Sequence, residues 1–131
     1  MISPIATATL ESAALSLSVL SAELLPGWYD DWVVNEAEIW RQLRLHALEA
    51  LSQALTTAGR YAEAVVAAQA AVAGDPLRES AHAALIAAHL REGNQSEAVR
   101  TFERYRRRLQ DELGLAPTAQ IREALGHAAV T

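Results

Sequence analysis

Three groups of side chains in this sequence have types and spacings that could do chemistry. Glu79 and His82 stand as Glu-x-x-His, and His89 follows further along the same stretch. On a helix this spacing puts a carboxylate and an imidazole on one face, as in the carboxylate-bridged di-metal bundles. Such a centre needs two of these motifs plus carboxylates from other helices, and only one motif is present. No metal ligand is therefore assigned, and both histidines read as packing residues. Arg100, Arg104, Arg106, Arg107 and Arg108 form the basic cluster of the chain. Arg100, Arg104, Arg107 and Arg108 share a face that could meet a phosphate backbone or an acidic partner. The competing reading is a solvated face, since Glu103, Asp111 and Glu112 lie one turn away and would give i,i+4 pairs worth roughly a few tenths of a kcal/mol each. Trp28, Trp32 and Trp40 could line a pocket or anchor a protein interface. Alternatively they pin a first helix across a long second one, because large aromatics seal an alanine-rich core. No nucleophile–base pair, glycine-rich phosphate loop or two-carboxylate arrangement occurs, so neither catalysis nor a cofactor is expected.

Composition narrows the field further. The 131 residues are 51% hydrophobic, chiefly Ala, Leu and Val, with few aromatics. That composition favours closely packed helices over sheet. The sequence has no cysteine, which removes disulfide and thiolate chemistry. A formal charge of −5 argues against nucleic-acid binding by this chain alone, since phosphate contacts need a concentrated basic face. Residues 13–25 are apolar, but Glu11 precedes them, serines interrupt them and no basic residue leads them in, so they do not read as an export signal. No run approaches the ~18 apolar residues of a membrane helix. The expectation is a cytoplasmic protein.

The elements that must position these groups follow from periodicity and stop signals. Residues 1–9 have no periodicity and read as a frayed start; residues 10–128 read as one domain. Apolar residues at Leu10, Ala14, Leu17, Val19, Leu20 and Leu24 predict a first helix, stopped by Leu25-Pro26-Gly27. Asp30 or Asp31 then caps a long helix over 32–57, with Trp32, Ile39, Trp40, Leu43, Ala47, Leu51 and Leu55 near one face. Gly59 ends it, and a helix over 62–73 carries the small-residue stripe Ala64, Ala67, Ala68 and Ala71. Asp75-Pro76 starts a helix running to 91, and Asn94 with Glu97 resembles a capping box opening the next. The stripe of that helix is Ala98, Phe102, Tyr105, Leu109 and Leu113. Gly114 closes it, and a short last helix after Pro117-Thr118 docks through Ile121 and Leu125.

One block recurs. Gly59-Arg60-Tyr61-Ala62-Glu63-Ala64-Val65 returns thirty-four residues later as Gly93-Asn94-Gln95-Ser96-Glu97-Ala98-Val99. Thirty-four is the period of the tetratricopeptide helical hairpin, with copies at about 45–78 and 79–112. Each hairpin buries one face within itself, so neighbours must stack to complete a core. The second copy has Gln110 where a proline should end the helix, so that helix runs on and the array terminates at Leu113-Gly114. The predicted fold is all-α: about six helices in tetratricopeptide-like stacked antiparallel hairpins.

Several ordered motifs carry a resemblance to a known family. They are Leu24-Leu25-Pro26-Gly27-Trp28-Tyr29-Asp30-Asp31-Trp32, Arg44-Leu45-His46-Ala47-Leu48-Glu49-Ala50-Leu51 and Gly59-Arg60-Tyr61-Ala62-Glu63-Ala64. Asp75-Pro76-Leu77-Arg78-Glu79-Ser80-Ala81-His82 and Tyr105-Arg106-Arg107-Arg108-Leu109-Gln110-Asp111-Glu112-Leu113-Gly114 complete the set. The chain resembles the bacterial transcriptional activator domain, the helical-repeat module of antibiotic-regulator-type activators. That module usually follows a winged-helix DNA-binding domain and is associated with self-association and contact with the transcription machinery. The winged helix is not among these residues, which fits either a piece of a longer regulator or a stand-alone module. The resemblance implies a non-enzymatic interaction module with itself and RNA polymerase as partners, a homodimer, and no sequence-specific DNA binding of its own. The expected partner surface is Arg100, Arg104, Arg107 and Arg108 with the exposed side of Trp28 and Trp32. The alternative is a generic tetratricopeptide adaptor that binds a peptide or partner regulator in its groove.

Overall fold

A computed structural model describes the backbone from Tyr29 to Val130 and the side chains from Asn35 to Gly126. The expected frayed start, the first helix, its Leu25-Pro26-Gly27 stop and the side chains of Trp28 and Trp32 lie outside the described residues. Within them run five helices: α1 (Tyr29–Thr57), α2 (Tyr61–Gly74), α3 (Glu79–Arg91), α4 (Gln95–Leu113) and α5 (Ala119–Val130). No strand occurs among the described residues, and the all-α expectation holds. The chain divides into two compact units, Met1–Ala47 and Leu48–Thr131.

In the described part of the first unit, α1 buries Leu45, with Trp40 and Leu43 half-buried and Ile39 exposed. Glu38 is exposed and accepts from Arg41 (2.8 and 3.1 Å) and from the Gln42 amide (3.0 Å). Those donors hold its carboxyl down at about 2.

The second unit is built on the repeat. Both copies of the glycine block end a helix in the same way. Gly59 (φ 79°) donates to Thr56 O while Arg60 donates to Leu55 O; Gly93 (φ 91°) donates to Leu90 O while Asn94 donates to His89 O. This is the paired-bond helix stop that needs a left-handed residue, which glycine supplies without a Cβ clash. The chain therefore turns back twice with one geometry, between α1 and α2 and again between α3 and α4, and α3 packs against both α2 and α4. The alanine stripe of α2 (Ala64, Ala67, Ala68 and Ala71) is buried as expected, and small side chains let α3 approach closely. Ala64 and Ala67 pack with Leu55 and Ala88, and Ala68 packs with Ala84 and Leu85. The larger cluster joins Ile86 of α3, Ala98, Tyr105 and Leu109 of α4, and Ile121 of α5. Ser52, fully buried, donates to Ala64 O (2.8 Å) and ties α1 to α2.

Four expectations need correction. Asp30 and Asp31 lie inside α1 rather than before it. The Asp75-Pro76 helix start is displaced to Glu79: the Asp75 carboxylate accepts from Leu77 N (3.2 Å), and Arg78 N closes a four-residue turn onto Asp75 O (3.1 Å). Proline at the second place of that turn fixes its φ, so the side chain that would cap a helix caps a turn instead. Asn94 makes no side-chain cap to α4; its amide donates to Glu92 (2.7 Å), while Glu97 accepts from Arg100 (2.6 Å). Finally, two apolar stripes are narrower than expected: Leu113 falls off the buried stripe of α4 and is 54% exposed, and on α1 Leu55 is buried as expected while Ile39 is exposed and Leu43 only half-buried.

Candidate interaction surface

Helix α4 supplies the surface because its sequence is sharply two-sided. Ala98, Thr101, Tyr105 and Leu109 recur at three- and four-residue steps and are buried. Thr101 returns its hydroxyl to Glu97 O (2.8 Å), so its burial leaves no orphaned donor. Gly114, at φ 65°, donates to Gln110 O and ends the helix. The same spacing carries Arg100, Arg104 and Arg107 on the opposite, exposed side, with Arg108 flanking them.

The expected neutralisation by carboxylates is real but partial. Arg100 pairs with Glu97 (2.6 Å), Arg106 with Glu103 (2.8 Å) and Arg108 with Glu112 (3.2 Å). Two of the three pairs step by three residues and only Arg108–Glu112 by four. Arg106, with help from Arg107, holds the Glu103 carboxyl below the usual range, and Glu103 raises Arg106 in turn. Arg104 and Arg107 form no ion pair among the described residues, and neither does Asp111 on the same face. Two guanidinium groups thus stand free on one exposed face of α4. Of the other expected surface residues, Trp32 lies in α1, but its side chain and all of Trp28 fall outside the described residues.

The remaining chemistry-bearing residues join helices. Glu49 on α1, although 7% exposed, accepts from Arg78 Nε (2.5 Å) and from the Ser80 hydroxyl (2.7 Å). Glu79, the first residue of α3, accepts from the Tyr105 hydroxyl (3.2 Å), from Thr118 N (3.0 Å) and from the Thr118 hydroxyl. One carboxylate thereby ties α3 to α4 and to the start of α5. Burial, with Glu79 beside it, pushes the Tyr105 hydroxyl up to about 12, so it stays a donor. His82 is buried, stacks on Tyr105 with ring centroids 4.5 Å apart, and donates Nε2–H to Pro76 O (2.8 Å). Its Nδ1 has no partner. Burial lowers its pKa, and Arg104 and Arg108 push the same way, against the Pro76 bond and Asp75. His89 sits apart, with Nδ1 3.4 Å from Glu92. The Glu-x-x-His pair therefore works as two separate helix-joining contacts, and Asp75–His82 reads as the joint between α1, α3 and α4.

Sequence reasoning missed the roles of Glu49, Arg78 and Thr118. A signal existed for Glu49: it lies between Leu48 and Ser52 on the line of packing residues, where a lone carboxylate demands a partner.

Comparison with known proteins gives one family and, as relatives, regulatory proteins. Residues 6–128 match the family described as bacterial transcriptional activator domain. The transcriptional regulator RedD of Streptomyces coelicolor is 38% identical over 86 residues, covering 66% of this chain and 25% of the relative. The regulatory protein AfsR of Streptomyces griseus is 35% identical over 99 residues, 76% of this chain and 10% of the relative. AfsR of Streptomyces coelicolor is 32% identical over 108 residues, 82% and 11% respectively. The chain therefore spans a quarter or less of the length of these relatives. No solved structure matches it. Among the described residues no helix is long and apolar enough to cross a membrane. With a match over nearly its whole length and regulators as its relatives, this chain belongs to the bacterial transcriptional activator domain family.

Proposed function

We propose that residues 10–128 act as one non-enzymatic, cytoplasmic interaction module of a transcriptional regulator, associating with a second copy of itself and contacting RNA polymerase. The observation that carries the polymerase contact is the pair of unneutralised guanidinium groups of Arg104 and Arg107 on the exposed face of α4. Like charges at three- and four-residue steps disfavour a helix by roughly a few tenths of a kcal/mol each unless something outside offsets them. An acidic protein surface would do so. The formal charge of −5 disfavours a DNA backbone as the partner of this module on its own.

The test is a pull-down of RNA polymerase with the purified chain and with R104A/R107A/R108A. Recovery should fall several-fold with helix content unchanged, because all three side chains are exposed. Equal recovery sinks the surface. A shift of promoter DNA by the chain alone at physiological salt would overturn the interaction-only reading.

A further inference from the structure

We propose that α5 is an exchangeable segment: when two chains associate, the α5 of each leaves its own seat and fills the same seat on the other. This rests on the self-association reading above and says how that association is built.

The seat is an apolar surface of α3 and α4 formed by Ile86, Phe102, Tyr105 and Leu109. It takes Ile121, 1% exposed, and the half-buried Leu125. The other described residues of α5 (Ala119, Gln120, Arg122, Glu123, Ala124 and Gly126) are exposed. Among the described residues, what fastens α5 is one buried isoleucine, one half-buried leucine, the buried Pro117 before it and the Glu79–Thr118 clamp. Such a helix opens locally at far smaller cost than the hairpins behind it, which share the alanine core. The stretch left to re-route between α4 and the seated Pro117 and Thr118 is residues 114–116, turned at Gly114, and glycine populates both signs of φ freely.

A second observation concerns that tether. Leu113 and Leu115, on either side of Gly114, are 54% and 55% exposed, and Ala116 after them is exposed too. A single chain gains nothing from two leucines in water at a surface turn. In an exchanged pair the two tethers run past one another about the two-fold axis, which sets the leucines of one chain against those of the other. Exchange preserves every contact α5 makes, because the seat is the same, and adds burial of these leucines. That asymmetry is what favours the pair.

The absence of cysteine makes trapping clean. Chains of these 131 residues carrying Glu79→Cys or Thr118→Cys are mixed in urea, refolded together at high concentration and treated with a short bis-maleimide. These positions are in hydrogen-bond contact whenever α5 is seated. A cross-linked pair containing one chain of each kind, rising with the dimer fraction seen by light scattering, is the expected result. In the otherwise unaltered chain, L113S/L115S should raise the dimer dissociation constant at least about 10-fold, on the order of one half-buried leucine. Its helix content should not change. A dimer that gives no mixed cross-link, or one whose constant is unmoved by L113S/L115S, overturns the exchange while leaving self-association standing. A monomer at every concentration overturns both.

Discussion

Replacing Arg78 by alanine removes one partner of an ion pair whose side chains are 14% and 9% exposed. Glu49 would be left inside the joint with only the Ser80 hydroxyl at 2.7 Å. Stranding one charge of a buried pair costs about 3–5 kcal/mol. The surviving hydrogen bond to a charged acceptor offsets roughly 1.5 kcal/mol of that. The expected loss is therefore about 1.5–3.5 kcal/mol. Arg106→Ala provides the internal comparison. That pair has the same chemistry and a similar distance, 2.8 Å, but its side chains are 46% and 39% exposed. Its removal should leave the urea midpoint essentially where it is, because solvent screens an exposed pair.

Urea titration followed by circular dichroism reads both, with a changed midpoint at constant slope taken as the stability difference. A third variant separates the pair from the packing. Converting both partners together, E49L/R78L, removes the charge and its desolvation at once. It should lie within about 1–2 kcal/mol of the parent even though R78A does not. If R78A and R106A cost the same, Glu49 is solvated, and the claim that this ion pair holds α1 to the α2–α3 turn is wrong.

Two further predictions follow from single residues. Burial, reinforced by Arg104 and Arg108, lowers the pKa of His82 from 6.5, so below about pH 6.5 the unfolded chain binds a proton that the folded chain refuses. The contribution of His82 is full above that pH and is lost as pH falls towards its folded value. His82→Phe should therefore flatten the decline in urea midpoint between about pH 7.5 and about pH 5.5, and parallel profiles would contradict the buried-neutral assignment. Gly93→Ala should lose about 1–2 kcal/mol, because φ is 91° there and the strain exists whatever the open space. Gly126→Ala, with no positive φ and nothing near a Cβ, should instead gain up to about 1 kcal/mol by helix propensity, and thermal melts should move in opposite directions.

Local signals carried the architecture because the fold is made by them. The two glycine blocks announce two identical helix stops, and the alanine stripe of α2 announces a close neighbour; both appear as expected. Gly114, Ile121 and Leu125 likewise do what their spacing implies. The capping errors at Asp75 and at Asn94 and Glu97 share one cause. Asp75, Asn94 and Glu97 each have the right type at the right step to cap a helix, but a side chain has one set of acceptors and several nearby claimants. Asp75 is taken by a proline turn, Asn94 by Glu92 and Glu97 by Arg100. Which claimant wins depends on backbone angles fixed by packing elsewhere, and that information is not local. The candidate surface was half legible for the same reason. Periodicity alone placed Arg100, Arg104 and Arg107 together, whereas the finding that within this α4 cluster Arg104 and Arg107 have no carboxylate partner among the described residues needed the actual rotamers. Glu79 is the sharpest case. Its spacing to His82 says nothing of where its carboxylate goes, which is onto Tyr105 and onto Thr118, far along the chain. A motif read along one helix names the residues that face a neighbour; the neighbour decides what they do.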